Sequence, residues 1–284
     1  MIVLDGGLAT ELEARGHDLS DALWSARLLA DDPDAIVATH EAFFRAGARI
    51  ATTASYQASF TGFAARGFDR RETATLLARS VALAGKARDR VGGQRWIAAS
   101  VGPYGATLAD GSEYRGRYGL SVAQLTAFHR PRAEILAAAG PDLLALETVP
   151  DIDEAVAMLA AIDGLGVPAW LSYTIAGERT RAGQPLGEAF AVAAGDDRIV
   201  AVGVNCCDPA DAARAIVLAR EITGKPVIAY PNSGEEWDAV ARRWSGRSRF
   251  DPFTLADADY GGGCCRVRPA DVARLAGHYG SSPL

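Results

Sequence analysis

Residues 199–207 read Ile-Val-Ala-Val-Gly-Val-Asn-Cys-Cys, an apolar run that ends in an amide and two adjacent thiols. Short runs of this kind, rich in branched side chains, are typical of buried strands. Residues 209–223 begin with Pro209 and then carry apolar side chains at helical spacing. The stretch is therefore predicted to form one βα unit, with two cysteines directly after its strand.

The same alternation of a short apolar run and a longer amphipathic run extends along the whole chain. It is typical of repeated βα units with a parallel sheet. The predicted strands are residues 2–5, 49–56, 96–102, 143–148, 169–175, 199–205, 226–230 and, as the weakest, 256–260. The predicted helices are residues 34–46, 70–90, 121–139 with Ser121 as the N-cap, 152–162, 186–194, 209–223 and 270–279.

Eight such units in 284 residues favour an α/β fold of a single domain, a (β/α)8 TIM barrel that spans residues 1–284. The alternative is an open Rossmann-like sheet. The Gly-x-Gly-x-x-Gly fingerprint of that fold is absent from the first unit. No change in composition along the chain indicates a second domain, and we therefore expect one barrel.

Composition narrows the classes of function. The formal net charge is −6 and the chain has no basic block, which argues against a nucleic-acid partner. The N-terminus reaches Asp5 before any apolar stretch long enough for a signal peptide or a membrane span. Four cysteines are too few for a disulfide-stabilised scaffold of this length. We expect a soluble cytoplasmic protein with free thiols and small-molecule partners, and the oligomeric state is left open.

Polar residues follow several of the predicted strands. Asp5 ends the first strand and precedes Gly6 and Gly7, Glu147 lies near the end of the fourth, and Asn205 ends the sixth. In a (β/α)8 barrel the C-terminal ends of the strands form the face that carries the active site. These residues are therefore expected to lie near one another, although Glu147 could instead pair with a neighbouring arginine.

The four cysteines all follow strands in this way. Cys264 and Cys265 come after three glycines, whose backbone can approach a ligand closely and adopt unusual angles. Strand alternation directs Cys207 to the face opposite Cys206, so Cys207 is predicted to be core. Three converging thiolates would leave one position of a tetrahedral zinc site open, as in catalytic sites. The alternative is that these cysteines are simply buried, as free cysteines often are.

Several short motifs together resemble the homocysteine S-methyltransferase family, from the first strand to the last helix. The motifs are Asp5-Gly6-Gly7, Thr10-Glu11-Leu12, Leu23-Trp24-Ser25-Ala26, Ser100-Val101-Gly102-Pro103-Tyr104-Gly105, Glu147-Thr148, Gly203-Val204-Asn205-Cys206 and Gly262-Gly263-Cys264-Cys265-Arg266. The pairing of the last two motifs is the most specific part of the resemblance.

The resemblance implies a Zn²⁺ ion bound by Cys206, Cys264 and Cys265, which would act in catalysis through the metal. It also implies that Glu147 and the Asp5 region hold the amino-acid part of homocysteine, with glycine N–H groups facing its carboxylate. Trp24 would face a cationic donor. The full set of implied substrate-binding residues is Asp5, Gly6, Gly7, Thr10, Trp24, Glu147 and Asn205.

The chain is most similar to the small single-domain branch of the family, which uses S-methylmethionine or S-adenosylmethionine. The expected activity is therefore zinc-dependent transfer of a methyl group from a sulfonium donor to the thiolate of homocysteine, giving methionine. Two alternatives stay open. One is a zinc barrel hydrolase or lyase with a zinc-bound water, ranked lower because three sulfur ligands weaken the activation of water. The other is a non-catalytic zinc- or thiol-binding protein.

Overall fold

The computed structural model describes residues 1–238 and 243–279, and its main feature is a barrel of eight parallel strands. The predicted domain of residues 1–284 also includes residues 239–242 and 280–284, which lie outside the described residues. The barrel strands are β1 (Ile2–Val3), β2 (Ile50–Thr52), β3 (Trp96–Val101), β4 (Leu143–Val149), β5 (Ala169–Tyr173), β6 (Ile199–Asn205), β7 (Val227–Tyr230) and β8 (Tyr260–Gly261).

The strands follow one another around the barrel in chain order. The hydrogen-bonded order is β1, β8, β7, β6, β5, β4, β3, β2, and every neighbouring pair is parallel. A parallel bridge between Leu4 and Ile50 joins the first strand to the second and closes the ring. The predicted (β/α)8 TIM barrel is therefore confirmed.

Helices surround the barrel. In the described residues they are α1 (Leu8–Ala14), α2 (Leu28–Asp31), α3 (Pro33–Arg45), α4 (Phe60–Ala64), α5 (Arg70–Val91), α6 (Val122–Ala138), α7 (Ile152–Ala161), α8 (Leu186–Ala194), α9 (Pro209–Thr223) and α10 (Pro269–Tyr279). The side chain of the predicted N-cap Ser121 accepts a hydrogen bond from the backbone N–H of Gln124. The side chain of Gln124 in turn accepts a hydrogen bond from the backbone N–H of Ser121. This reciprocal capping box fixes the start of α6.

The last two units differ from the prediction. Residues 256–260 were expected to form the eighth strand, but β8 begins only at Tyr260, because residues 252–255 form a 3₁₀-helix and the chain turns after it. The side chain of Asp259 accepts from the backbone of Val227 at 2.8 Å and marks the point where pairing with β7 starts. Between β7 and β8, the described residues form an antiparallel pair, Glu236–Asp238 with Arg243–Ser245, and no α-helix. Eight repeated βα units would include an α-helix after β7, but none is present there in the described residues.

Two apolar clusters fill the molecule. The smaller one lies inside the barrel, where three alanines leave room for the large ring of Trp170. Its fully buried members are Leu4, Ile50, Ala98, Ala145, Trp170, Ala201, Ile228 and Tyr230. The larger cluster packs the outer faces of the strands against the helices. The barrel is therefore solid below its C-terminal face, and a ligand can approach the strand ends only from that face.

None of the described helices is both long enough and apolar enough to cross a membrane.

His40 is buried in α3 with no exposed surface, and neither ring nitrogen has a hydrogen-bond partner in the described part of the chain. Burial lowers the pKa of His40 from its ordinary 6.5 to about 4. The unfolded chain therefore takes up a proton near pH 6.5, whereas the folded chain resists it until about pH 4. Stability contributed by the neutral ring is complete above pH 6.5 and is lost as the pH falls toward 4.

We expect His40→Leu to remove this part of the acid sensitivity, because leucine has a similar volume and no titrating group. The difference in unfolding free energy between the variant and the wild type should shift by about 2–3 kcal/mol in favour of the variant between pH 7 and pH 4.5. Urea unfolding at the two pH values measures this. A constant difference would show that the pKa of His40 is the same in the folded chain as in the unfolded chain.

Candidate active site

Three sulfur atoms meet at the C-terminal face of the barrel. Cys206 follows β6, and Cys264 and Cys265 follow β8. All three Sγ atoms lie within 4.8 Å of one another, and the Sγ atoms of Cys206 and Cys265 are 3.6 Å apart. The predicted cysteine trio is thus one cluster, brought together from positions about sixty residues apart by the order of the strands.

Local backbone geometry aims the three thiols at one point. Cys206 has a positive φ of 52°, and its N–H donates to the carbonyl of Tyr230 at 3.2 Å. Cys264 begins a tight turn in which the N–H of Val267 donates to the Cys264 carbonyl at 3.2 Å and Arg266 has a φ of 67°. Because the chain reverses at once, two adjacent cysteines can both face Cys206.

The glycines before this turn provide clearance. A Cβ on Gly262 would lie 2.8 Å from the carbonyl oxygen of Asp5, and one on Gly263 would lie 2.2 Å from the side chain of Val267. A Cβ on Gly7 would lie 2.6 Å from the carbonyl oxygen of Cys264. None of the glycines at 261–263 has a positive φ, so unusual backbone angles are not the reason for glycine here. Their role is close approach of the first and last strands, which a side chain would prevent.

Cys207 lies apart from the trio. It is fully buried in the larger apolar cluster, and its carbonyl accepts from Asn232 at 2.9 Å. Burial raises the pKa of its thiol well above the ordinary value. The structure thus places Cys207 in the core, as strand alternation predicted.

The trio fits a thiolate-binding metal such as zinc. In a tetrahedral zinc site with Zn–S bonds of about 2.3 Å, sulfur ligands lie about 3.8 Å apart, close to the Cys206–Cys265 separation. Hydrogen bonds from Cys264 and then Cys265 hold the pKa of Cys206 well below its usual range. Donating these hydrogen bonds raises the pKa values of Cys264 and Cys265, and burial and the charge of Cys206 add to the effect. A divalent cation would allow all three to ionise together. Cys264 and Cys265 are only partly buried, so the cluster is accessible from the barrel mouth.

Glu147, near the end of β4, lies buried in the same mouth. The hydroxyl of Ser100 donates to its Oε1, and the hydroxyl of Tyr230 donates to its Oε2 at 3.0 Å. Burial raises the pKa of Glu147 to about 7, against the effect of these two hydrogen bonds. No described ion pair involves Glu147, so the structure does not support pairing with an arginine. A buried carboxylate of this kind is stabilised by a cationic ligand.

Asp5 is a second buried carboxylate in the mouth. The N–H of Thr52 donates to its Oδ2 at 2.8 Å and the hydroxyl of Thr52 to its Oδ1 at 3.1 Å. Burial raises the pKa of Asp5 to about 8, and the negative charge of Glu147 adds to the effect. Of the two glycine amides that follow, that of Gly7 already donates to the carbonyl of Val267 at 2.9 Å. The N–H of Gly6, in contrast, has no hydrogen-bond partner among the described residues.

The side chain of Asn205 is held by hydrogen bonds within the protein. Its Oδ1 accepts from the N–H of Thr148 at 2.7 Å and from the hydroxyl of Ser172 at 2.8 Å, and its Nδ2 donates to the hydroxyl of Thr148 at 2.7 Å. Thr148 has a φ of 57°, which is unfavourable for a branched side chain. Asn205 therefore holds the strained end of β4, directly after Glu147.

The other two sequence-predicted residues lie at the edge of the mouth. The hydroxyl of Thr10 accepts from the N–H of Arg266 at 2.9 Å and so supports the cysteine turn. Trp24 has a φ of 49° and meets the ring of Tyr56 edge-on, with 6.4 Å between centroids. Burial raises the pKa of Tyr56, and the negative charges of Glu113, Cys206 and Glu147 add to the effect, so Tyr56 lies between Trp24 and the charged groups of the site.

Sequence reasoning missed residues 109–118, the later part of the loop between β3 and α6. The hydroxyl of Tyr114 lies 3.1 Å from the Sγ of Cys206, and Glu113 is next to it in the chain. No local pattern in residues 109–118 distinguishes a substrate loop from a surface turn. A usable signal was the unusual length of this connection, since long ordered loops in compact domains are often functional.

Known proteins share both the sequence and the fold. The family model described as homocysteine S-methyltransferase matches residues 2–279. The chain is 44% identical over 291 residues to homocysteine S-methyltransferase of Escherichia coli (strain K12), covering 97% of this chain and 94% of that protein. It is 45% identical over 300 residues to homocysteine S-methyltransferase 4 of Zea mays, covering 96% and 88%.

A solved relative gives the same result. The crystal structure of the homocysteine methyltransferase MmuM from Escherichia coli, in its metallated form, superimposes with a TM-score of 0.87 at 43% sequence identity. The match covers 98% of this chain and 96% of that chain.

The cysteine geometry predicts that Cys264→Ser will bind much less zinc than the wild type, because a neutral hydroxyl replaces one of the three thiols of the cluster. Cys207→Ala is the matched control and should bind zinc as the wild type does. Equilibrium dialysis followed by elemental analysis measures both. Equal zinc in Cys264→Ser and wild type, or loss of zinc in Cys207→Ala, would contradict the assignment of the ligands.

Proposed function

The chain belongs to the homocysteine S-methyltransferase family, and on this basis we propose that it transfers a methyl group from a sulfonium donor, S-methylmethionine or S-adenosylmethionine, to homocysteine, giving methionine. We propose zinc as the metal and Cys206, Cys264 and Cys265 as its ligands. The observation that carries the proposal is the convergence of these three thiols beside two buried carboxylates.

The sulfur cluster supports a thiol substrate. When bound, zinc would lower the pKa of a coordinating thiol, so that homocysteine could react as the thiolate at neutral pH. The trio leaves room for one further ligand in a tetrahedral arrangement. Binding also requires that the protein thiols stay reduced, which supports a cytoplasmic location as part of the proposal.

The carboxylates support an amino-acid substrate. Glu147 and Asp5 are buried in the mouth and have no cationic partner among the described ion pairs, so the ammonium group of homocysteine would pair with them. The uncommitted N–H of Gly6 would face the substrate carboxylate. We assign supporting roles to Gly7, Thr10 and Asn205, which hold the backbone around these groups, and a donor-facing role to Trp24.

The proposed reaction balances without an added oxidant or reductant. A lone pair on the homocysteine sulfur forms the new S–C bond. The electron pair of the breaking bond stays with the donor sulfur, which becomes a neutral thioether, and the thiol proton of homocysteine leaves to solvent. The protein contributes mainly by alignment, which can be worth about 7–11 kcal/mol when the reacting atoms are held close and in line.

We expect the zinc-loaded protein to form methionine from homocysteine with S-methylmethionine or S-adenosylmethionine. Prior removal of metal with a chelator should abolish the activity, and added zinc should restore it. The rate of methionine formation, measured by chromatography, reports both effects. Failure with both donors would reject the proposed function and leave the hydrolase, lyase or binding-protein alternatives to be tested.

Glu147→Gln should raise the KM for homocysteine roughly 10- to 100-fold, as expected for the loss of a charged hydrogen bond to the substrate ammonium. Zinc content should not change, because the variant keeps the shape of the side chain and its hydroxyl neighbours. The thiol 4-mercaptobutyrate, which is homocysteine without the amino group, provides the control. If the variant lost activity equally with both thiols, Glu147 would not be the ammonium partner.

A further inference from the structure

The loop between β3 and α6 lies beside the sulfur cluster, with the hydroxyl of Tyr114 3.1 Å from the Sγ of Cys206. It contains the 3₁₀-helices Tyr104–Leu108 and Ser112–Tyr114. The two pieces pack so tightly that a Cβ on Gly105 would lie 2.5 Å from the backbone nitrogen of Glu113. The position of Glu113 is therefore set by backbone packing and not by the conformation of a free loop.

A single buried carboxylate on α7 anchors both ends of this loop. Glu154 accepts from the N–H of Tyr104 at 2.6 Å and from the hydroxyl of Tyr118 at 3.1 Å. The Nε2 of His129 lies 3.0 Å from the same carboxylate, and both side chains are fully buried. Because the anchor acts on residues before and after Glu113, the loop keeps its place relative to the barrel.

Glu113 carries an unsatisfied carboxylate oxygen in the mouth. Its Oε2 is buried without a hydrogen-bond partner among the described residues, whereas Asp5 and Glu147 each accept two hydrogen bonds from the protein. None of the described ion pairs involves Glu113. A buried carboxylate oxygen that no protein group bonds is costly, and such an oxygen is suited to contact a bound ligand.

The surroundings of Glu113 identify the charge of that ligand. Burial raises the pKa of Glu113 to about 7, and the negative charges of Cys206 and Asp110 add to this. Glu113 also acts electrostatically on the hydroxyl of Tyr56. The next residue, Tyr114, contacts Cys206. Glu113 therefore lies close to Tyr56 and to the sulfur cluster, in surroundings that favour a cation over an anion.

We propose that Glu113 is the counter-ion of the sulfonium group of the methyl donor and selects the charged donor over neutral compounds of the same shape. The proposal rests on the proposed function, which supplies the sulfonium donor. The rings of Tyr56 and Tyr114 complete the pocket for the cation. After transfer the donor sulfur is neutral, so the attraction to Glu113 ends with the reaction and the product is held less tightly.

This role predicts a specific kinetic signature. The positive charge is complete in the bound donor and fades as the methyl group leaves, so Glu113 stabilises the ground state at least as much as the transition state. Loss of its charge should therefore raise the KM for the donor and change kcat little. A purely structural role in the loop would instead disturb Tyr114 and the cysteine cluster, and would lower zinc content or homocysteine binding.

The test compares Glu113→Gln with Asp110→Asn, which removes a carboxylate from the exposed part of the same loop and keeps the capping oxygen for Ser112. Calorimetry on the zinc-loaded protein measures binding of S-methylmethionine and of 2-amino-5-methylhexanoate, in which a neutral CH replaces the sulfonium. We expect Glu113→Gln to weaken S-methylmethionine roughly 10- to 100-fold. Binding of the neutral analogue should change little, and Asp110→Asn should bind both as the wild type does.

The possible results separate the two proposals. Equal weakening of both compounds in Glu113→Gln would overturn the assignment, because Glu113 would then contact the amino-acid part of the donor. Unchanged binding of both compounds would overturn it as well. Since binding is measured without turnover, these results stand even if no methyl transfer is found, and absence of methyl transfer in the wild type would reject only the proposed function.

Discussion

The site depends on how the last strand enters the barrel. The backbone after β8 is bonded on both sides: Gly263 donates to the carbonyl of Asp5, while Gly262 donates to Ala229 and Cys264 to Pro231. This double pairing is possible only because the glycines carry no side chains where the strands converge. It fixes Cys264 and Cys265, Asp5 and the closing seam of the barrel, where β8 joins β1, in one set of hydrogen bonds. The close approach of the three thiols therefore depends on where the strands place the cysteines as well as on the residue type.

The floor of the mouth is a connected set of hydroxyl and amide groups. The hydroxyl of Tyr230 contacts Trp170, Ser172 and Glu147, and Ser172 continues to Asn205. Each group orients its neighbour, so the carboxylate of Glu147 is presented in one direction above an apolar barrel interior. The hydrogen bonds from Ser100 and Tyr230 offset part of the cost of burying Glu147, and those from Thr52 offset part of the cost of burying Asp5.

Much of this arrangement followed from the sequence, because strand order alone brings the ends of parallel strands to one face. Asp5, Glu147, Cys206 and the adjacent cysteines were predicted there for that reason. The start of β8 was not, since a strand of two residues beside glycines has no alternation to detect. Glu113 was missed because its place depends on Glu154, about forty residues later, and such a contact leaves no local pattern.

The closing seam also has a consequence for synthesis of the protein on the ribosome. Cys206 is made well before Cys264 and Cys265, and β8 must insert between β1, the first strand made, and β7. The three cysteines therefore cannot come together until the eighth unit has emerged and joined the two ends of the sheet. Binding of a metal ion by these thiols would then be one of the last steps of folding and would stabilise only the completed barrel. Nascent chains that stop before β8 would lack two of the three thiols.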